Sequence, residues 1–280
     1  NWQLPDYSKQ ALFSQKSFIF DGIDDYVQIP KFATLDNGDI TFSIWWKPES
    51  TGTTQYLLSS CYGSPYAGIN IGMTNAGKFI FWRFTQTTQN HTGYAVNGFT
   101  AFGDWHHLMG VYDATAGTLK SYVNGALQDT TSDSADTNAV GQDLYIAGLA
   151  PTAGSPTLPS AGNVDDLSIF DAAKAIGDIW DGTGAPTDLS AESGLVGYWT
   201  FDDATFSTNW SVPDNSTNSN TGTSTNMDEV DLEFNTPGNI IAGLSKNMPE
   251  SAKVNFAPDN INQGLSIAMD EVDRVADTPP

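Results

Sequence analysis

What most constrains this chain is a succession of short apolar or alternating runs with almost no helical period among them. Ser17–Phe20, Tyr26–Ile29, Ile40–Trp46, Tyr56–Ser59, Gly68–Met73, Lys78–Phe84, Trp105–Tyr112, Thr118–Val123, Asp143–Ile146, Val164–Phe170 and Gly194–Phe201 each read as a strand. Turn signals separate them, among them Asp36-Asn37-Gly38, Asn75-Ala76-Gly77, Ala116-Gly117 and Asn124-Gly125. Many short strands broken by such turns predict an all-β sandwich or barrel. The sharpest local prediction is a hairpin, Leu119–Val123 and Ala126–Thr130 joined by Asn124-Gly125, because Asn-Gly supplies both positive φ values of a type I′ turn. One helix is expected, Ala172–Asp181, capped by Asp171, striped by Ile176, Ile179 and Trp180, and ended by Gly182.

Charge then narrows the partners. The 280 residues carry 33 Asp+Glu against 11 Lys+Arg, a formal net charge of −22. Such a chain is a poor ligand for nucleic acid, whose phosphates need Lys/Arg, and for anionic membranes. Cation binding and solubility in salt are compatible with it. No apolar run approaches the roughly 20 residues of a membrane span, and no stretch reads as a signal peptide, so no membrane insertion is expected. The single cysteine, Cys61, rules out an internal disulfide framework and reads as a small buried hydrophobe.

The texture changes after about Phe206, where Asn, Ser and Thr dominate and hydrophobic periodicity fades. Here a short repeat appears. Residues 220–237, with Met227-Asp228-Glu229-Val230-Asp231 at their centre, are echoed by residues 262–279, with Met269-Asp270-Glu271-Val272-Asp273. Two copies are too few for a solenoid. They read as similar strand-and-turn elements that pack on the body or on a neighbouring chain. The chain therefore divides into an N-terminal arm (1–16), a sandwich (17–206) and an acidic tail (207–280). Trp2, Tyr7, Leu12 and Phe13 are the arm's candidate anchors for docking or oligomerisation.

Four stretches, in order, resemble the laminin-G-like group of concanavalin A-like jelly rolls: SFIFDGIDDYVQIP (17–30), DITFSIWWKP (39–48), DWHHLMGVYDATAGTLKSYVNGALQDT (104–130) and GNVDDLSIFDAAKAIGDIWDG (162–182). The resemblance implies a jelly-roll sandwich of two curved antiparallel sheets with one short helix. It also implies that strands near the start and the end of the domain lie side by side, with Ca²⁺ at the rim. Asp21, Asp24, Asp165 and Asp166, with Asp25 beside them, are the metal candidates, since clustered carboxylates suit a hard cation wanting 6–8 oxygens. Their plainer role is to satisfy turn amides where strands begin.

Catalysis is not expected. His106 and His107 open a strand, alternation sends Trp105, His107 and Met109 to one face, and no Gly-x-Ser-x-Gly or Cys/His pairing accompanies them. With His91 the only other histidine, a zinc site is not expected either. Related jelly rolls include β-glucanases whose catalytic strand reads Glu-x-Asp-x-Glu, and Glu229-Val230-Asp231-Leu232-Glu233 fits that pattern. On a strand Glu229 and Glu233 would share a face, as a retaining glycosidase needs. The match lies outside the resembling region, however, and its repeat partner lacks the second glutamate. A hydrolase using Glu229/Glu233 is thus the lesser alternative.

Glycan binding is the stronger alternative. Sugars are held by exposed aromatics on the pyranose face and amide or carboxylate partners for the hydroxyls. Tyr62, Tyr66, Trp82 and Tyr94 are the glycan-binding candidates, with Trp180, Asn90 and Asn97 as further choices, whereas Trp45 and Trp199 are expected in the core. The arm, the jelly roll, "NSNTGTSTNM" and the terminal "ADTPP" together resemble virion proteins of marine tailed bacteriophages. That resemblance implies a non-enzymatic virion surface component, whether capsid decoration, head fibre or tail fibre. Its partners would be other virion proteins, copies of itself and a host-surface glycan. A secreted or cell-surface glycan-binding module is the alternative setting.

Overall fold

A computed structural model describes residues 14–31, 38–60, 68–84, 102–132, 143–152 and 155–238. Trp2, Tyr7, Leu12, Phe13, Cys61, Tyr62, Tyr66, Asn90, His91, Tyr94, Asn97 and the second repeat copy lie outside these residues. Contacts divide the chain into Asn1–Asn239 and Ile240–Pro280, and the description below concerns the first unit.

In chain order the strands are β1 (Ser17–Asp21), β2 (Tyr26–Ile29), β3 (Ile40–Pro48), β4 (Gln55–Ser59), β5 (Gly68–Met73), β6 (Phe79–Phe84), β7 (His106–Asp113), β8 (Thr118–Val123) and β9 (Ala126–Ser132). They continue as β10 (Leu144–Ile146), β11 (Leu149–Thr152), β12 (Ser155–Thr157), β13 (Ala161–Phe170), β14 (Leu195–Trp199), β15 (Thr205–Phe206), β16 (Trp210–Val212), β17 (Gly222–Thr225) and β18 (Leu232–Glu233). The first sheet runs β18-β1-β13-β3-β7-β8-β9, with β14 also on β13. The second runs β15-β16-β17-β2-β10-β4-β5-β6, and β11-β12 is a separate hairpin. The pairings between strands in both sheets are antiparallel, as the all-β jelly-roll expectation requires.

Side-chain alternation builds the interior. Phe18, Phe20, Phe42, Ile44, Trp46, Leu108 and Leu119 point inward from the first sheet, and Val27, Ile29, Ile69, Ile71, Phe79 and Phe81 meet them from the second. Each fully buried side chain of this kind contributes about 1.5–3 kcal/mol. The predicted hairpin forms as expected: Asn124 and Gly125 have φ of 48° and 76°, and Val123 stands opposite Ala126.

Two expectations change. The domain boundary at 206 falls at the end of β15, and strands after it complete both sheets: β17 pairs with β2, and β18 pairs with β1. Val212 and Met227 reach the core, so the Asn/Ser/Thr-rich stretch through residue 238 belongs to the sandwich. The helix shrinks to one turn, α1 (Ile176–Ile179), with Ala175 rather than Asp171 before it. The reason is local. Thr41 on β3 donates to the Ala172 carbonyl at 2.7 Å and accepts from the Lys174 amide at 3.0 Å, while the Asp171 amide bonds to Gly194. Backbone groups pinned to strands cannot enter an i→i−4 ladder.

Candidate functional site

Each sheet has an outer face, and the two differ. On the first sheet, Met109, Val111, Phe170 and Tyr198 point away from the core and form a second apolar cluster with Ile179 and Leu189 of the segment after β13. Lys174 pins that segment by an ion pair with Glu192 at 2.8 Å. Next to it, the rings of Trp45, His107 and Trp180 pack at tilted angles with centroids 5.0–5.4 Å apart. Trp45 is thus buried on the outer face, whereas Trp199 lies in the core as expected. Trp180 lies over the hairpin turn, where a Cβ on Gly125 would come 2.4 Å from its Nε1. His107 bonds Ser43 Oγ through Nε2 at 2.7 Å, and its Nδ1 has no partner. Burial pulls its pKa down to about 3, so the ring stays neutral and cannot act as an acid near neutral pH. His106 faces Asn124, at 3.2 Å.

The other end of this face is a polar network. Asn163 donates to Glu233 at 3.0 Å and accepts from Asn235 at 3.0 Å. Ser14 donates to Asp165 at 2.6 Å, and the amides of Gln15 and Lys16 donate to Asp202 at 2.9 and 2.8 Å. Thr236 donates to the Ser14 carbonyl at 3.3 Å. The predicted metal ligands Asp165 and Asp166 lie beneath this strap, both buried. They form a bulge against β3, with Asp166 at φ 52°. Burial raises both carboxyls well above the carboxylate range; neighbouring aspartates add to it, and the hydrogen bond from Ser14 to Asp165 opposes it there. Asp165 Oδ1 has no hydrogen-bond donor. Such a pair favours a bound proton or cation over two bare charges.

β1 and β13 do lie side by side, yet the four predicted metal ligands do not form one site. In register Asp21 stands opposite Ala161, four residues along the strand from Asp165, a separation of about 13 Å at strand rise. Asp21 and Asp24 instead join Asp25, and carboxylate oxygens of the three lie within 4.8 Å of one another. Asp21 Oδ1 accepts the Ile23 amide at 2.7 Å, and Asp25 Oδ2 accepts the Asp21 amide at 3.1 Å. Burial raises Asp25 to about 7; the Asp21 amide opposes the shift, and the charges of Asp21, Asp231 and Asp24 reinforce it.

The glucanase-like pattern breaks. Glu229–Asp231 is a 3-10 turn and only Leu232–Glu233 is strand, so the three carboxylates do not line one strand face. Glu229 is exposed while Glu233 is tied to Asn163.

On the second sheet the outward positions are Tyr26 and Gln28 of β2, Tyr145 of β10, Tyr56 of β4, Asn70 of β5 and Trp82 of β6, alternating with core residues. Tyr26 and Tyr145 meet at 5.9 Å. Of the predicted glycan residues among those described, Trp180 sits in the cluster with Trp45 and His107, and Trp82 stacks on Tyr56 at 5.2 Å and 28°, both half-buried. Asn70 pairs with Trp82 across the strands, is 3% exposed, and its Oδ1 has no hydrogen-bond partner. Tyr56 escaped the sequence reading because a bulge between Tyr56 and Leu58 sends both Leu57 and Leu58 inward and hides the alternation.

Residues 21–179, more than half of the chain, match the family described as the concanavalin A-like lectin/glucanases superfamily. Among solved structures, the chain is similar to a candidate carbohydrate binding protein from Bacteroides ovatus, with a TM-score of 0.60 and 16% identity over 80% of this chain and 61% of that one. It is also similar to the CBM40 of the Ruminococcus gnavus IT-sialidase bound to α2,3-sialyllactose, with a TM-score of 0.51 and 13% identity over 60% and 96% of the two chains. No curated protein matches it in sequence.

Proposed function

Because the chain belongs to the concanavalin A-like lectin/glucanases superfamily, we propose that it is a non-catalytic glycan-binding protein whose sugar surface is the outer face of the second sheet. The observation that carries this reading is the half-buried Trp82–Tyr56 stack beside Asn70. Flat rings meet the C–H face of a sugar. The Bacteroides protein is described as carbohydrate binding and the Ruminococcus CBM40 is bound to a sialyllactose, which supports the same class of ligand. The broken carboxylate row at Glu229, Asp231 and Glu233, and the neutral, buried His107, support binding without hydrolysis. A glycan array probed with the full chain should return hits that Trp82→Ala removes. Hits unaffected by Trp82→Ala and Tyr56→Ala would move the site elsewhere.

The setting we propose is display on a virion surface, as capsid decoration, head fibre or tail fibre, with other virion proteins or copies of itself as docking partners; a secreted or cell-surface module is the alternative. The resemblance of the arm and the repeat-bearing tail to phage virion proteins supports it. Deleting residues 1–13 should abolish incorporation into particles and leave glycan binding intact. Calcium is the proposed ion. Asp21, Asp24 and Asp25 fit it, since a divalent cation would relieve the repulsion that burdens Asp25. A chelator should lower the melting temperature of the wild type and leave Asp25→Asn unmoved.

A further inference from the structure

The repeat gains meaning once its first copy is seen folded. Residues 220–237 and 262–279 align without a gap as Asn-x-Gly-x-Ser-x-x-Met-Asp-Glu-Val-Asp-x-x-x-x-Thr-Pro, ten of eighteen positions being identical. In the folded copy five positions are buried: Gly222, Ser224, Met227, Thr236 and Pro237. All five recur, as Gly264, Ser266, Met269, Thr278 and Pro279. Of the seven exposed positions, Thr221, Thr223, Asn226 and Phe234 change, whereas Asp228, Glu229 and Val230 are kept.

Four of the five repeated buried residues have a visible task in closing the sandwich. A Cβ on Gly222 would come 2.9 Å from Val27 Cγ1, so only glycine lets β17 approach β2. Ser224 Oγ accepts the Trp210 amide at 2.8 Å, joining β17 to β16. Met227 enters the core, and Thr236 fastens the strap over Ser14. The repeated Asp-Glu-Val-Asp caps itself, the Asp228 amide donating to the Asp231 carboxylate. Similarity born of composition alone would keep exposed positions as readily as buried ones. The repeat instead keeps all five buried positions against three of the seven exposed ones, although Leu232, partly buried against the core, is matched by Arg274.

We infer that residues 262–279 are a second closing element for the seat between β16 and β2, and that they act across copies of this chain. The segment from one copy takes that seat on another and displaces its resident 220–237. The seat suits exchange because its strands are short: three residues in β16, four in β17 and two in β18. Residues 238–261 supply up to about 80 Å of reach when extended. A copy that accepts a neighbour's strand still carries its own donor, so the exchange links copies head to tail.

The test uses the full chain with Cys61→Ser. Thr223 stands opposite Gln28, and Leu265 is its counterpart in the repeat. Gln28→Cys with Thr223→Cys should form a disulfide within one chain. Gln28→Cys with Leu265→Cys should give disulfide-linked dimers and longer species, rising with protein concentration. Adding Gly222→Val, which bars the resident strand, should raise the linked fraction severalfold, and Gly264→Val should remove it. Absence of a Gln28–Leu265 disulfide, or its confinement to single chains, overturns the inference. If Gly222→Val fails to fold, the disulfide without it decides.

Discussion

The two outer faces of this sandwich arise from the same alternation, and one is sealed while the other keeps aromatic rings open. On the first sheet, the residues that point away from the core meet the segment after β13 and become a second core around Phe170, Met109 and Tyr198. On the second, Tyr56 and Trp82 stack with part of their surface exposed. An outward aromatic therefore has no fixed meaning in a sandwich. What lies over it decides whether it stabilises the fold or meets a ligand.

Substitutions can separate the two faces. The largest stability effect should come from Phe170→Ala, at about 3–5 kcal/mol, since the ring is fully buried on the sealed face. A loss under 1 kcal/mol in urea unfolding would show that this face is no second core. Trp82→Ala should do the converse, weakening glycan binding tenfold or more, about 1.4 kcal/mol, while costing little stability. A large fall in melting temperature with unchanged binding would make the open face structural. Next is Gly125→Ala, which should cost about 1–2 kcal/mol through its φ of 76° and the Trp180 ring above it. Repeating it in a Trp180→Ala background should shrink that cost, and a coupling near zero would remove the contact from the account.

The last prediction is a pH slope. Asp25 binds its proton more tightly folded than unfolded, because its pKa rises from 3.8 to about 7. Its stabilisation is fully present below about pH 4 and is lost as pH climbs through 7. Asp165, Asp166, Asp202 and Asp231 are also raised and act in the same direction. Melting temperature should therefore fall from pH 4 to 7, less steeply in Asp25→Asn. A slope of opposite sign would place these carboxylates with favourable partners.

Much of the fold was legible because period-2 alternation and Asn-Gly turns are local signals. β2, β5 and β8 occupy the predicted residues, and the hairpin at Asn124-Gly125 forms as read. The strands after Phe206 were legible only in part: the repeat marked residues 220–237 as a strand-and-turn element, but not which strands it joins. Gly-Thr-Ser-Thr of β17 carries no apolar alternation, and its place depends on a distant partner, β2. The helix was over-read because Thr41 claims its first backbone groups from another strand. Trp82 was found by type, but its partner Tyr56 was concealed by a bulge. Clustered aspartates gave Asp21 and Asp24 their neighbour Asp25. Only strand register could separate them from Asp165.

The strap that joins Ser14 to Thr236 also has a mechanical meaning. β1 and β18 run antiparallel, with Ser17 opposite Glu233, so the chain enters and leaves this pair at the same end. Tension applied through residues 14 and 236 would load its bonds one after another, as a zipper opens, and not all together as in shear. The first bonds to yield would be those of the strap and of β18, and Asp165 would lose its cover from Ser14 before the core felt any force.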